Sequence, residues 1–208
     1  MKKTLVIVDV QNDFSSEGAL AVPDGESVVP VINQIMPFFD FVIATQDWHP
    51  EAHASFASTQ ECQPGDVIDL GGFQQVMWPD HCVQGTKGAE FIKGLNTDKI
   101  NHIIRKGTDI EIDSYSGFYD NNKKKSTGLA EFLASPDLHE LYIVGLATDY
   151  CVRYTALDAV ASGFKTYVIQ DACRGVNQQP GDDEKAFYEM SKAGCLLILS
   201  GDLPLNQV

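Results

Sequence analysis

The chain has 208 residues, 44% of them hydrophobic and 21% charged, and its 15 Lys and Arg against 29 Asp and Glu give a formal net charge of −14 at pH 7. A single domain of this length buries about 70% of its unfolded surface, so neither metal nor disulfide is needed merely to fold. A pI near 4.5 argues against nucleic acid and against an anionic membrane surface as partners, since both demand basic patches. The one basic run, Lys123 to Lys125, reads as a solvated loop. No apolar run approaches the ~20 residues of a membrane span, and neither a signal peptide nor a membrane association is expected. Five cysteines, an odd number without a Cys-x-x-Cys pair, exclude a disulfide scaffold or thiolate zinc knuckle. Reduced thiols in the cytoplasm are the expectation, and the composition permits a homo-oligomer without requiring one.

In chain order, β-branched runs at 4–10, 41–44, 102–105, 141–144, 165–169 and 195–199 read as buried strands. Between most of them lie helical patterns: Val28, Ile32, Ile35 and Phe39; Leu129, Phe132 and Leu133; Val152, Thr155, Ala156, Ala159 and Val160; Ala186, Phe187 and Met190. Gly163 and Gly194 mark expected helix ends. Strand–helix alternation predicts right-handed crossovers and an α/β fold with a mostly parallel sheet. The whole chain, 1–208, reads as one domain. The exception to the alternation is a long stretch at about 45–88, with scattered Pro and Gly and little periodicity. Its aromatic and histidine content predicts an ordered functional loop.

Ligands of open parallel sheets lie beyond the carboxyl ends of the strands, where strand order reverses. Asp9 ends the first strand, Lys106 follows the 102–105 run, and Cys151 follows 141–144 just where a helix begins. One carboxylate, one amine and one thiol therefore meet at one edge. A thiol at a helix N-terminus beside an ammonium is expected to have its thiolate favoured. The carboxylate is placed to take the thiol proton and return it to a leaving amine, and turn N–H groups to hold an oxyanion, which suits acyl transfer from an amide. Cys62, Cys82, Cys173 and Cys195 read as small buried hydrophobes.

The long loop adds Asp47, His49 and His53, then His81 after Trp78-Pro79-Asp80. Three imidazoles and one carboxylate make an N/O site for Zn²⁺, Fe²⁺ or Mn²⁺ with positions open to water or substrate. His102 and His139 read as surface residues. No Gly-x-Gly-x-x-Gly, Walker-type or Gly-x-Ser-x-Gly pattern is present.

The segments Val8–Phe14, Thr45–Pro50, Trp78–Gly85, Arg105–Gly107, Asp113–Phe118 and Gly145–Val152 together resemble the nicotinamidases (pyrazinamidases) of the isochorismatase-like cysteine hydrolase superfamily, over essentially the whole chain. The resemblance implies a three-layer α/β/α sandwich with a six-stranded parallel sheet. It implies hydrolysis of nicotinamide to nicotinate and ammonia, with pyrazinamide as a second substrate and a place in NAD salvage. By the same resemblance Asp9, Lys106 and Cys151 form the catalytic triad, and the N–H groups of Ala147 and Cys151 form the oxyanion hole beside a cis peptide at Leu146-Ala147. Phe14, Trp78 and Tyr115 wall the ring pocket. Asp47, His49, His53 and His81 hold one divalent metal, zinc before iron or manganese. The acidic segment 59–72 and the insertion 110–113 depart from the pattern. The rival readings are a metal-free amidase of the same superfamily acting on a carbamoyl or ureido substrate, a vinyl-ether hydrolase, and a non-enzymatic metal-binding domain.

Overall fold

The computed structural model describes residues 2–134 and 138–203. Six strands form one all-parallel sheet: β1 (Lys3–Val8), β2 (Phe41–Asp47), β5 (His102–Lys106), β6 (Glu140–Leu146), β7 (Lys165–Arg174) and β8 (Leu196–Ile198). Two short strands, β3 (Val67–Asp69) and β4 (Gln74–Val76), make a separate antiparallel hairpin inside the long loop. The helices are α1 (Val28–Ile35), α2 (Leu129–Phe132), α3 (Arg153–Ala161) and α4 (Asp182–Ala193).

The sheet order is β5-β2-β1-β6-β7-β8. The chain therefore builds outward from β1 through β2 to β5, then returns to the other side of β1. The reversal falls between β1 and β6, and a crevice must open beyond their carboxyl ends.

Alternation along the strands divides the core. Leu5 and Ile7 of β1 join α1 and Val42, Ala44 and Val144 in one buried cluster. Val6 and Val8 face the other way, into a cluster with Ile43, Ile143, Val168 and residues of α2, α3 and α4. Where both faces are covered, as in β1 and β6, the strands are near-continuous apolar runs. In α1, Val28, Val29, Ile32 and Ile35 present one buried stripe. The helix tightens into a 3₁₀ turn at 36–38, where Pro37 lacks an N–H. Helix α4 carries Asp182, Asp183 and Glu184 in its first turn and Lys192 in its last, matching the dipole, and stops at Gly194 with φ 110.

Element boundaries differ from the sequence reading at functional points. The first strand stops at Val8 rather than continuing to residue 10, because Asp9 takes a left-handed φ of 47 and swings out of the sheet. The second strand continues through Thr45-Gln46-Asp47, so the loop starts at Trp48. β5 includes Lys106, and β7 continues to Arg174 through Gln170 and Asp171, whose polarity hides the strand from a hydrophobicity reading. Among the described residues no helix is long and apolar enough to cross a membrane.

Candidate active site

Four strand ends deliver the reactive side chains. Asp9 leaves β1, Asp47 ends β2, Lys106 ends β5, and Cys151 lies in a π-helical turn, Thr148–Val152, between β6 and α3. Asp9 and Cys151 thus flank the reversal in strand order. All four are buried.

Lys106 is the hub. Its Nζ lies 2.8 Å from Asp9 Oδ2 and 2.8 Å from Asp47 Oδ1, donates to the Ser114 carbonyl at 2.8 Å, and stands 3.4 Å from Cys151 Sγ. Asp9 Oδ1 accepts a 2.6 Å hydrogen bond from the Thr45 hydroxyl, which fixes the carboxylate's rotation. Oxygen atoms of Asp9 and Asp47 and the Cys151 sulfur all lie within 4.8 Å of one another.

The titration behaviour of this cluster follows from burial and from the ammonium at its centre. Burial raises the Asp9 carboxyl and the opposing pull of Lys106 does not fully offset it. For Asp47 burial is overcome by Lys106 and His49, and its carboxyl is held well below the usual range. Lys106 is desolvated too, yet Asp47 and Asp9 drive its pKa well above the ordinary lysine value. Cys151 corrects the sequence reading. Burial pushes its thiol well above the ordinary value, and the attraction of Lys106 only moderates the rise. An attack by this sulfur would need a nearby acceptor for the thiol proton, and the carboxylates of Asp9 and Asp47 lie within 4.8 Å of it.

Asp47 links this cluster to the histidines. Its second oxygen lies 3.3 Å from His49 Nε2 and 3.7 Å from His81 Nε2. One oxygen from Asp47 and one nitrogen each from His49 and His81 fall within 4.8 Å of one another. His53 is outside that set of three but packs on it, its ring centroid 4.4 Å from that of His49. The Nδ1 atoms are spoken for: His49 pairs with the Gly107 carbonyl at 2.9 Å, His53 with the Ser55 hydroxyl at 2.8 Å, His81 with the Pro79 carbonyl at 2.8 Å. Among the described residues the Nε2 atoms of His49 and His53 are buried and make no hydrogen bond, although His49 Nε2 faces the Asp47 carboxylate. Orphaned imidazole nitrogens, with the opposite ring atom anchored, are the arrangement a divalent cation requires. In the protein alone, Asp47 raises His49 despite its burial, whereas burial lowers His53.

Positions outside the sequence reading hold this frame. Gln11 is fully buried; its amide donates to the Asp47 carbonyl and its oxygen accepts from the Asp47 N–H, both at 2.8 Å. Asp13 accepts from the N–H of Cys82, next to His81, at 2.7 Å. Gly107 has φ +62, and a Cβ there would be driven into the His49 ring. Buried Asp113 stands with its Oδ1 3.9 Å from His49 Nε2. Gln11, Asp13 and Gly107 belong to segments that carried the resemblance, but spacing alone gives them no role.

The crevice between these groups encloses about 330 Å³, open solvent at its mouth included. Phe14, Trp78, Tyr115, Ala147 and Cys151 all line it, joined by Leu20, Asp47, His81, Asp113, Tyr150 and Val176. Trp78 meets Tyr150 edge-on at 4.8 Å, making an aromatic corner. The Leu146-Ala147 peptide is cis. The site pairs a largely apolar, aromatic-walled slot with a thiol, carboxylates and imidazole nitrogens at its base.

The chain belongs to the isochorismatase family, whose domain matches residues 3–201. Within that family it is similar to the nicotinamidase of Escherichia coli strain K12, at 46% identity over 96% of each chain. The structure of an Acinetobacter baumanii nicotinamidase pyrazinamidease superposes with a TM-score of 0.93 at 47% identity, covering 97% of this chain and 98% of that one. A Pyrococcus horikoshii pyrazinamidase in complex with zinc gives 0.77 at 38% identity, covering 96% and 99%.

Proposed function

We propose that this chain hydrolyses nicotinamide to nicotinate and ammonia, accepts pyrazinamide in the same way, and serves NAD salvage. The observation that carries the reading is the position of Lys106 Nζ, which touches Asp9, Asp47 and Cys151 at once and so joins a nucleophile–base pair to a cation site.

In this reading Asp9, Lys106 and Cys151 are the catalytic triad. Cys151 Sγ attacks the carboxamide carbon as its proton passes to Asp9, and Lys106 stabilises the charge that shifts between them. The N–H groups of Ala147 and Cys151 hold the oxyanion. Asp9 returns the proton to nitrogen as the C–N bond breaks and ammonia leaves, with the acyl group now a thioester on Cys151. Water then attacks the thioester with Asp9 accepting its proton, releasing nicotinate and the free thiol. Phe14, Trp78 and Tyr115 hold the ring flat so that the carboxamide meets the sulfur in a productive orientation.

Asp47, His49 and His81, with His53 as a fourth ligand, would hold one divalent ion, which we assign as zinc. When bound it supplies a Lewis acid toward a ring nitrogen. The convergence of Asp47, His49 and His81 ligand atoms, with His53 packed on His49, favours a metal site over a metal-free carbamoyl amidase. The five unpaired cysteines suit a reducing compartment, and the cytoplasm is our placement.

Ammonia release from nicotinamide, measured with and without a chelator, tests the reading. Turnover that the chelator removes and zinc restores supports it; no ammonia from the zinc-loaded protein overturns it.

A further inference from the structure

The hairpin formed by β3 and β4 is a surface excursion with one exception. Of the six residues in its two strands, only Gln75 is buried, and it is a polar side chain. Its amide nitrogen donates to the Val76 carbonyl at 2.7 Å and to the Tyr115 hydroxyl at 2.8 Å. Its oxygen accepts from the Asn121 side chain at 3.2 Å, and the Asn121 oxygen in turn accepts the Tyr115 backbone N–H at 2.9 Å. Trp78 Nε1 donates to the same Tyr115 hydroxyl at 3.0 Å. A partly buried polar network of this kind, in which each side chain is held by at least two hydrogen bonds, restrains its members. This one ties two pocket walls, Tyr115 and Trp78, to a hairpin that touches no reacting group.

The network also fixes the chemistry of the wall. A phenol oxygen has two acceptor lone pairs, and Tyr115 uses them for Trp78 and Gln75. It therefore offers the occupant a ring face and no further acceptor. A ring substituent directed at Tyr115 meets a hydrogen-bonded wall, and an amino or hydroxyl group there finds no acceptor for its proton, the Tyr115 hydroxyl keeping only its own O–H to donate.

We propose that Gln75 is a specificity-determining positioning residue. Acting through the Tyr115 hydroxyl, it makes the β3–β4 hairpin the element that restricts this site to unsubstituted single-ring heteroaromatic carboxamides. The inference rests on the amidase reading of the site and adds to it the residue that sets the ring's limits.

The test compares kcat/KM for nicotinamide with kcat/KM for 5-methyl- and 6-methylnicotinamide in the zinc-loaded enzyme. The ratio is taken within one preparation, so loss of folded protein in a variant cancels. Gln75→Leu is expected to lower the preference for the unsubstituted ring by about tenfold, the scale on which a pocket discriminates one methyl group. For nicotinamide itself KM rises while kcat stays within about twofold, because Gln75 acts on binding geometry and not on the reacting atoms. Gln75→Met, matched in length, gives a second reading of the same loss. In a Tyr115→Phe background the further effect of Gln75→Leu falls below about twofold, as expected of two residues acting through one contact. An unchanged ratio in both Gln75 variants overturns the proposal, as does the full tenfold change persisting without the Tyr115 hydroxyl. If the parent enzyme releases no ammonia from nicotinamide, the amidase reading itself falls first.

Discussion

At the scale of single residues, burial of Cys151 decides how its thiol is used. Because burial holds the thiol above the ordinary value, alkylation by iodoacetamide tracks a small thiolate fraction. Below the thiol's pKa, labelling of Cys151 should rise about tenfold per pH unit with no plateau near neutrality. A plateau below pH 8 in the ligand-free protein would show a resting thiolate instead. Asp9 carries the complementary prediction. Replacing it with Asn keeps its shape and the contact with Thr45 but removes the proton acceptor. Acylation should slow by about 10²-fold or more while the fold is kept, measured as single-turnover ammonia release beside a circular dichroism spectrum. The convergence of Asp9, Lys106 and Cys151 was readable in the sequence because each lies just past, or one short turn beyond, a strand-like run. The direction of the thiol's shift was not, since the helix dipole and the ammonium are visible in sequence but the depth of burial is not. Gln11 and Gln75 were hidden for a related reason: a glutamine reveals nothing of its backbone or hydroxyl partners until the chain is folded.

Among the elements, the strand runs were legible wherever both faces are buried, as in β1 and β6. The β3–β4 hairpin was not, because three-residue strands with mostly exposed side chains carry no periodicity. The turn after β5 is where element geometry meets the site most directly. Gly107 combines a positive φ with backbone packed on the His49 ring, and its carbonyl fixes the His49 tautomer. Gly107→Ala should therefore displace His49 and weaken zinc affinity by about 10- to 100-fold, the usual cost of disturbing a ligand's support. Competition against a chromophoric chelator reads this directly, and wild-type affinity in the variant would show that the turn does not position the ligand.

For the molecule as a whole, stability should depend on the ion and on pH through the same buried cluster. Asp47 is held well below its ordinary 3.8. Its contribution is thus present above that value and is lost as pH falls toward the depressed folded value. Lys106, held well above 10.5, contributes fully below that value and loses its effect only as pH rises through the higher folded value. Between these limits the raised Asp9 and His49 and the lowered His53 still tilt the profile, and the loss of the Asp47 contribution begins near the ordinary carboxylate range. Zinc at 100 times its Kd should add about 2.7 kcal/mol, seen as a rise in melting temperature that a chelator reverses. The parallel order and two-faced core were readable from strand–helix alternation. The position of the strand-order reversal, which puts Asp9 and Cys151 on either side of one crevice, required the folded chain.

The central claim is that Cys151 forms a covalent acyl-enzyme from a carboxamide, and the most direct measurement is rapid acid quench of the zinc-loaded enzyme with ring-labelled nicotinamide, followed by peptide mapping. The predicted result is a nicotinoyl thioester on the Cys151 peptide that appears with the first ammonia released and is absent from Cys151→Ala. Ammonia release at the parent rate from Cys151→Ala, or an acyl group found on Cys62, Cys82, Cys173 or Cys195 instead, would contradict it.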